Sequence, residues 1–452
     1  MSENEISIDD NADEPSNLIN KEMKTYELGD NSDSNAKDIK QIENNVNINP
    51  NANIENSENN EQNNNINSKE INENQNDNNL NNNNIINDFD IEAFKMNFNE
   101  NGLIILNTQK PSLGLQNIGA TCYMNSTLQC LIHIKELSEA LLSSSINSKE
   151  FILTSEYVNI LKHVFFPKSE SQCFAPYKFK ELVGELKSDF RGISANDAKD
   201  LLQFVVEKMH SEVKIAEKQF SDYNFDQSNE LQTIQYFYDE YISQNYSPFL
   251  KYLYGIIKIQ TKCLNCQTVQ YNFQSYNLLY FPLKESKIYA IAKKKEEDKD
   301  FDEKNYILNL KDCFMYNEKV DHFTGENSMS CNRCRGLCDA DSQSMLYFTP
   351  TVLAIVLSRG RANLDFQEKF DFETELNIEK FLNDKEKKGK YYPMSMVVHY
   401  GESSMSGHFI AYCRMDKESK WFCYNDAFVS ECKNLDEIIA RGTPYILFYH
   451  QE

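Results

Sequence analysis

The chain has 452 residues, with 69 Asp and Glu against 46 Lys and Arg, and a net charge of −23. That balance argues against nucleic acid as a partner and suits a basic polypeptide. No apolar run approaches the ~18 residues of a membrane span, and Met1–Asp10 lacks the basic-then-apolar pattern of a signal peptide. A soluble intracellular protein, cytoplasmic or nuclear, is therefore expected.

The acidity is concentrated at one end. Residues 1–100 carry 22 Asp and Glu against 6 Lys and Arg, and residues 51–100 hold 21 asparagines. Such a segment has too little apolar surface to offset the entropy of ordering, so residues 1–107 are expected to be a disordered acidic tail. Residues 108–452 are rich in Tyr and Phe and suffice for one elaborated domain. Inside a cell, the 12 cysteines read as thiols, metal ligands and a nucleophile rather than as disulfides.

The ordered part opens with Gly114-Leu115-Gln116-Asn117-Ile118-Gly119-Ala120-Thr121-Cys122-Tyr123-Met124-Asn125-Ser126. Beyond it Leu128, Leu131, Ile132, Ile134, Leu137, Leu141 and Leu142 recur at helical spacing, which predicts a helix with Cys122 in its first turn. A cysteine at a helix start is ordinarily a buried structural residue. Here the positive end of the macrodipole favours a thiolate, and Asn117 can aim a side-chain N–H at a carbonyl oxygen becoming negative. Further helical stripes run through Tyr157, Val158, Ile160, Leu161 and Val164, and through Leu201, Leu202, Val205, Val206 and Met209. Asn196 or Asp197 reads as the N-cap of the latter.

After about residue 250 the period becomes two. Ile257, Ile259 and Thr261 before Cys263, and Val269, Tyr271 and Phe273 after Cys266, predict a hairpin with two cysteines at its tip. Residues 284–305, with Lys293-Lys294-Lys295 followed by acidic residues, read as a solvated loop. Val352–Leu357 predicts a buried strand, and Met394–Tyr400, Gly407–Arg414, Trp421–Tyr424 and Tyr445–Tyr449 predict strands joined by short turns. A helical first half and an antiparallel second half make the fold class α+β.

Cys263-x-x-Cys266 and Cys331-x-x-Cys334 have the spacing of two metal knuckles, and four thiolates in tetrahedral array make a structural zinc site. Cys338 is a spare ligand or a free thiol. A cysteine nucleophile also needs a base and a group that orients the base. His408 begins a strand after the flexible stretch Gly401–Ser406, and a hairpin would bring Asn425 or Asp426 beside it; either side chain can accept from an imidazole N–H.

Across residues 111–450 the chain resembles the catalytic domain of a ubiquitin-specific protease, a family of papain-like cysteine peptidases. The resemblance is carried by Gly114–Cys130, by Gly407-His408-Phe409-Ile410-Ala411-Tyr412, by Tyr424-Asn425-Asp426 and by the terminal Tyr445-Ile446-Leu447-Phe448-Tyr449. It implies a helical thumb, a β-sheet palm and zinc-ribbon-like β fingers at roughly 245–348, within a catalytic domain at 108–452. It implies Cys122 as nucleophile, His408 as general base, Asn425 as third member with Asp426 as a possible substitute, and Asn117 in the oxyanion hole.

Asn196-Asp197-Ala198-Lys199-Asp200-Leu201-Leu202 is a looser match to a family segment whose aspartate meets ubiquitin's arginine-bearing tail. Asp197 is the expected contact there, with Asp200 beside it. Arg359–Leu364 and Gly401–Ser406 lie where the family has loops over that tail. The implied activity is hydrolysis after the C-terminal glycine of ubiquitin, with ubiquitin and ubiquitinated proteins as partners and zinc as a structural metal only. A protease for another ubiquitin-like modifier and a catalytically silent ubiquitin-binding scaffold are the alternatives.

Overall fold

A computed structural model describes residues 104–107, 111–168, 171–359, 366–383, 389–403, 406–432 and 442–452, all within the unit Phe89–Glu452. The expected disordered tail lies outside the described residues except at 104–107, where Leu106 is buried and its N–H donates to Glu139 Oε1 at 2.8 Å. Every side chain of helix α1 (Cys122–Ile132) is buried. This helix carries Asn125, Ser126, Thr127 and Gln129, so its polar groups need partners inside the protein. Thr127 Oγ1 donates to the Tyr123 carbonyl at 2.8 Å, Gln129 Nε2 to the Leu113 carbonyl at 2.9 Å, and Ser112 Oγ to Gln129 Oε1 at 3.2 Å.

The apolar stripe runs on past Ile132, yet the helix breaks at His133–Ile134 and α2 (Lys135–Ser143) starts afresh. Side chains support the break: Ser138 Oγ donates to the Ile132 carbonyl at 2.8 Å, and His133 Nδ1 donates at 2.7 Å to Gln129 O, which also accepts the His133 backbone N–H. No Gly or Pro marks the place. Helix α3 (Ile152–Phe165) packs on α2, α4 (Tyr177–Leu186) on α3, and α5 (Ala198–Val213) on α1 and α3. Helix α6 (Glu230–Glu240) and the short α7 (Pro248–Leu253) lead into the sheets.

Strands β1 (Gly255–Cys263) and β2 (Val269–Tyr276) form the predicted hairpin. After β3 (Leu279–Pro282) the first part of the segment expected as a solvated loop, residues 284–305, is instead helix α8 (Leu283–Glu297), packed against α9 (Leu310–Asn317). Only Leu283, Ser286 and Ala290 of α8 are buried. Three small or single apolar contacts leave almost no periodic signal, while the Ala, Lys and Glu around them are strong helix formers.

Strands β4 (Val320–Phe323) and β5 (Ala340–Phe348) complete a four-stranded antiparallel sheet in the order β2-β1-β5-β4, with α6 against β2. Strands β6 (Val352–Ser358), β7 (Lys390–Ser403), β8 (Ser406–Cys413), β9 (Trp421–Asn425), β10 (Phe428–Cys432) and β11 (Thr443–Gln451) build a larger sheet. Its order is β10-β9-β8-β7-β11-β6-β3, and Leu376–Asn377 adds to β7 as its eighth strand. Only β3 runs parallel to its neighbour.

The continuous apolar run of β6 follows from burial on both faces. Val352, Ala354 and Val356 join the helical core beneath α1, while Leu353, Ile355 and Leu357 join a second core with α8 and α9. Tyr424 of β9 stitches the sheet to α1. Its hydroxyl accepts from the Ser112 N–H at 3.2 Å and lies 2.9 Å from His133 Nε2, whose ring burial pushes down to about 4 and so keeps neutral. Tyr424→Phe would strand both partners in the interior. It is expected to lower stability by about 1–3 kcal/mol, read as a lower urea midpoint at unchanged m-value.

Candidate active site

Residues Gly114–Thr121 are shaped by backbone contacts before any side-chain chemistry. Gly114–Leu115 pairs in parallel with Cys173–Phe174, and the Leu115 N–H donates to the Asp426 carbonyl at 2.9 Å. A Cβ on Gly114 would lie 2.4 Å from the Ala427 carbonyl oxygen, so only glycine lets this segment lie against the β9–β10 turn. Gly119 at φ +122° and Ala120 at φ +47° then swing the chain into α1. Cys122 is its first residue and is buried. The first-turn N–H groups of α1 have no intrahelical acceptor and sit at the positive end of the dipole.

His408 arrives from the other half of the chain on β8, opposite Tyr400 of β7. Its Nε2 lies 2.7 Å from Asn425 Oδ1, at the end of the neighbouring β9, and 3.8 Å from Asp426 Oδ2. With Nε2 taken by Asn425, Nδ1 is the nitrogen left for Cys122. Hydrogen bonding with Cys122 is the largest influence raising the His408 pKa to about 9; the Asn425 contact and the Asp426 charge add to it, and partial burial opposes it. A thiol and an imidazole in this arrangement can exchange a proton while Asn425 holds the ring.

Of the two candidate orienting groups, Asn425 makes the direct contact. Asp426 does something else. It occupies the left-handed region at φ +53°, which Asp tolerates better than most residues, and its carboxylate faces the first segment. Asp426 Oδ2 accepts from Asn117 Nδ2 at 3.0 Å, and Oδ1 accepts from Asn125 Nδ2 at 2.7 Å. Asn117 Oδ1 accepts from the N–H groups of Gly119 at 3.2 Å and Thr121 at 3.1 Å. Asn117 is thereby clamped at both ends of its amide, with one Nδ2 hydrogen left over.

Asn125 is absent from the sequence-derived site. Nothing in the sequence separates it from Ser126, Thr127 and Gln129, the other polar residues of the same helix; its Nδ2 also donates to the Leu115 carbonyl at 3.2 Å.

A second polar group lies along α5. Asp197 is its N-cap, with Oδ1 accepting from the Lys199 N–H at 2.9 Å, while Oδ2 accepts from Lys199 Nζ at 2.6 Å and from the Tyr445 hydroxyl at 2.7 Å. Tyr445 packs against Phe409, next to His408, with ring centroids 5.6 Å apart. Asp200 is more exposed, and desolvation nevertheless raises its carboxyl pKa, with Lys199 opposing. Of the two expected covering loops, 360–365 and 404–405 lie outside the described residues. Arg359 itself is held by the carbonyls of Pro444, Phe366 and Glu368.

At the tip of the four-stranded sheet Cys263, Cys266, Cys331 and Cys334 bring their sulfur atoms within 4.8 Å of one another. The knuckles are built alike: Gln267 at φ +61° donates its N–H to Cys263 O at 2.9 Å, and Arg335 at φ +56° donates its N–H to Cys331 O at 2.8 Å. Sulfur pairs 3.9 Å apart (Cys263, Cys334) and 3.5 Å apart (Cys266, Cys331) are close to the about 3.8 Å edge of a tetrahedron with Zn–S bonds of about 2.3 Å. Those four cysteines can hold a metal ion. Cys338, on a short strand paired with Met329–Cys331, is not part of the four-sulfur cluster.

The His408 environment has a measurable consequence. In an NMR titration its imidazolium should persist as pH rises and be lost near 9 rather than near the ordinary 6.5. Cys122→Ala removes the largest influence raising it, so the midpoint should fall. A midpoint unmoved by that substitution would contradict the Cys122–His408 contact.

Residues 113–449 match the family profile described as ubiquitin carboxyl-terminal hydrolase. A mouse relative, ubiquitin carboxyl-terminal hydrolase 17-like protein B, is 26% identical over 76% of this chain and 64% of its own length. Bovine ubiquitin carboxyl-terminal hydrolase 2 is 24% identical over 74% of this chain and 54% of its own length, so this chain spans about half to two thirds of these relatives. Among solved structures, the SAGA Ubp8/Sgf11/Sus1/Sgf73 DUB module bound to ubiquitin aldehyde aligns at a TM-score of 0.56 with 19% identity, covering 77% of this chain and 72% of the other. That module with a Ubp8 mutant bound to monoubiquitin aligns at 0.56 with 20% identity, covering 76% and 72%. These likenesses agree on the fold, and the profile spans both the Cys122 segment and the His408 hairpin. The chain belongs to the ubiquitin carboxyl-terminal hydrolase family.

Proposed function

We propose that the protein is a thiol-dependent deubiquitinase, cleaving the isopeptide or peptide bond after the C-terminal glycine of ubiquitin. The observation that carries this reading is the junction of Cys122, at a helix start, with His408 and its 2.7 Å partner Asn425, in a chain of this family. Cys122 thiolate attacks the glycine carbonyl carbon. The oxyanion is stabilised by the free Nδ2 hydrogen of Asn117 and by the Cys122 backbone N–H. As the tetrahedral intermediate collapses, the His408 imidazolium gives its proton to the departing amine, leaving a thioester on Cys122. Water deprotonated by His408 then releases the ubiquitin carboxylate and restores the thiol. A reducing intracellular compartment, cytoplasm or nucleus, suits such a thiol.

In this reading the arginine-bearing tail of ubiquitin passes Asp197 and Asp200, the four-stranded sheet grips the body of ubiquitin, and residues 108–452 form the catalytic domain behind the acidic 1–107 tail. The four-cysteine cluster holds one zinc ion, whose positions are all filled by thiolates, so its contribution is to tie β1–β2 to the second knuckle. Purified protein should carry one zinc per chain. Cys331→Ser or a strong chelator should remove it and lower Tm, with the largest loss of hydrogen-exchange protection in β1, β2 and β5.

Ubiquitin carrying a C-terminal electrophile should become covalently attached to Cys122, and Cys122→Ala should abolish turnover while sparing ubiquitin binding. Attachment of a different modifier in preference to ubiquitin would transfer the activity to that substrate. Binding of ubiquitin with no adduct would indicate a silent scaffold, and cleavage by the Cys122→Ala variant would sink the assignment of the nucleophile.

A further inference from the structure

Asp197 is expected to meet a cation on the substrate, yet its carboxylate is already occupied. Both oxygens are taken from within the chain: Oδ1 by the Lys199 N–H at 2.9 Å, Oδ2 by Lys199 Nζ at 2.6 Å and by the Tyr445 hydroxyl at 2.7 Å. The Lys199 ammonium also lies 3.9 Å from Asp200 and 3.3 Å from the Tyr445 hydroxyl, so it sits at the centre of the acidic pair. Helix stability does not account for it. Lys199 is in the first turn of α5, where the positive end of the dipole disfavours a cation.

The side chains of Lys199 and Asp197 are each 29% exposed, so the ion pair borders solvent and the flexible lysine stem can swing away without unpacking the core. Tyr445 stays behind as a fixed donor, its ring packed on Phe409.

We propose that Lys199 is an internal competitor for the substrate's tail cation: it occupies the Asp197 carboxylate until an arginine displaces it, and thereby sets how far the enzyme depends on that arginine. The proposal rests on the deubiquitinase reading and adds a specificity-determining residue to it. Displacement is chemically reasonable because a guanidinium engages a carboxylate with two parallel N–H donors, whereas an ammonium is a point charge. The released Lys199 is not stranded, since Asp200 is within reach. An arginine-bearing tail therefore gains less here than it would from an unoccupied carboxylate, and a tail without arginine loses less.

The test is steady-state turnover by the full chain of ubiquitin bearing a C-terminal fluorogenic amide, alongside the same substrate with its tail arginines changed to glutamine. Lys199→Gln removes the competing charge. It should lower KM for the arginine-bearing tail by about two- to fivefold, the range a part-exposed ion pair supports, with kcat held. KM for the glutamine tail should not fall. Lys199→Arg keeps a competitor in place and should match or exceed the wild-type KM.

A KM that is unchanged or raised in Lys199→Gln, or lowered equally for both tails, overturns the proposal. Matching urea midpoints of the variants and the wild type show that folding is not what changed. If the wild-type chain turns over neither substrate and forms no adduct with electrophilic ubiquitin, the deubiquitinase reading falls and the proposal with it. Turnover by the wild type with an unresponsive Lys199→Gln removes the proposal alone.

Discussion

Asp426 joins the two halves of the site. Its carboxylate accepts from Asn117 and from Asn125, one before Cys122 and one after it, while its own carbonyl accepts from the Leu115 N–H. These contacts span some 300 residues of sequence and fix the Cys122 turn against the β9–β10 hairpin that carries Asn425. A charged acceptor gives shorter and stronger hydrogen bonds than a neutral one, and this one is mostly sheltered from water. The close packing of Gly114 on Ala427 has the same effect through the backbone. Without this junction His408 would still be oriented by Asn425, but the Cys122 turn would lose its charged tie to the β9–β10 hairpin.

The same economy appears behind the site. Helix α1 is buried on all sides although a third of its residues are polar, and the interior supplies a partner for most of their groups. Tyr424 and His133 form one of these links, from β9, the strand that ends in Asn425, to the end of α1. Buried polar chains of this kind restrict the register in which a helix and a sheet can dock, because a shift by one residue would leave several donors unpaired. Positional accuracy at Cys122 and His408 follows from that restriction.

Away from the site, two features handle charge in different ways. Four thiols gather at the tip of the four-stranded sheet. Near the strand that carries His408, by contrast, Asp197 is balanced by Lys199, two residues on in the sequence. The first arrangement can take up an ion, and the second is balanced by the chain itself.

Much of this was legible from local pattern. Glycines before a helical stripe located Cys122 at a helix start, the switch from a period near four to a period of two separated helices from sheet, and paired C-x-x-C spacings located the thiol cluster. These signals are local because backbone geometry and side-chain alternation are set within a few residues.

The break at His133, the α8 helix, and the roles of Asp426, Asn125 and Lys199 were not legible. Helix α8 buries too few apolar side chains to have a period, and the break is supported by side chains rather than marked by Gly or Pro. Sequence alone determined which residues are present to act as thiol, imidazole and amide, and on which elements they ride. Whether Asn425 or Asp426 contacts the imidazole, and which carboxylate clamps the Cys122 turn, was decided only by the tertiary structure, because those hydrogen bonds depend on how strands and helix meet.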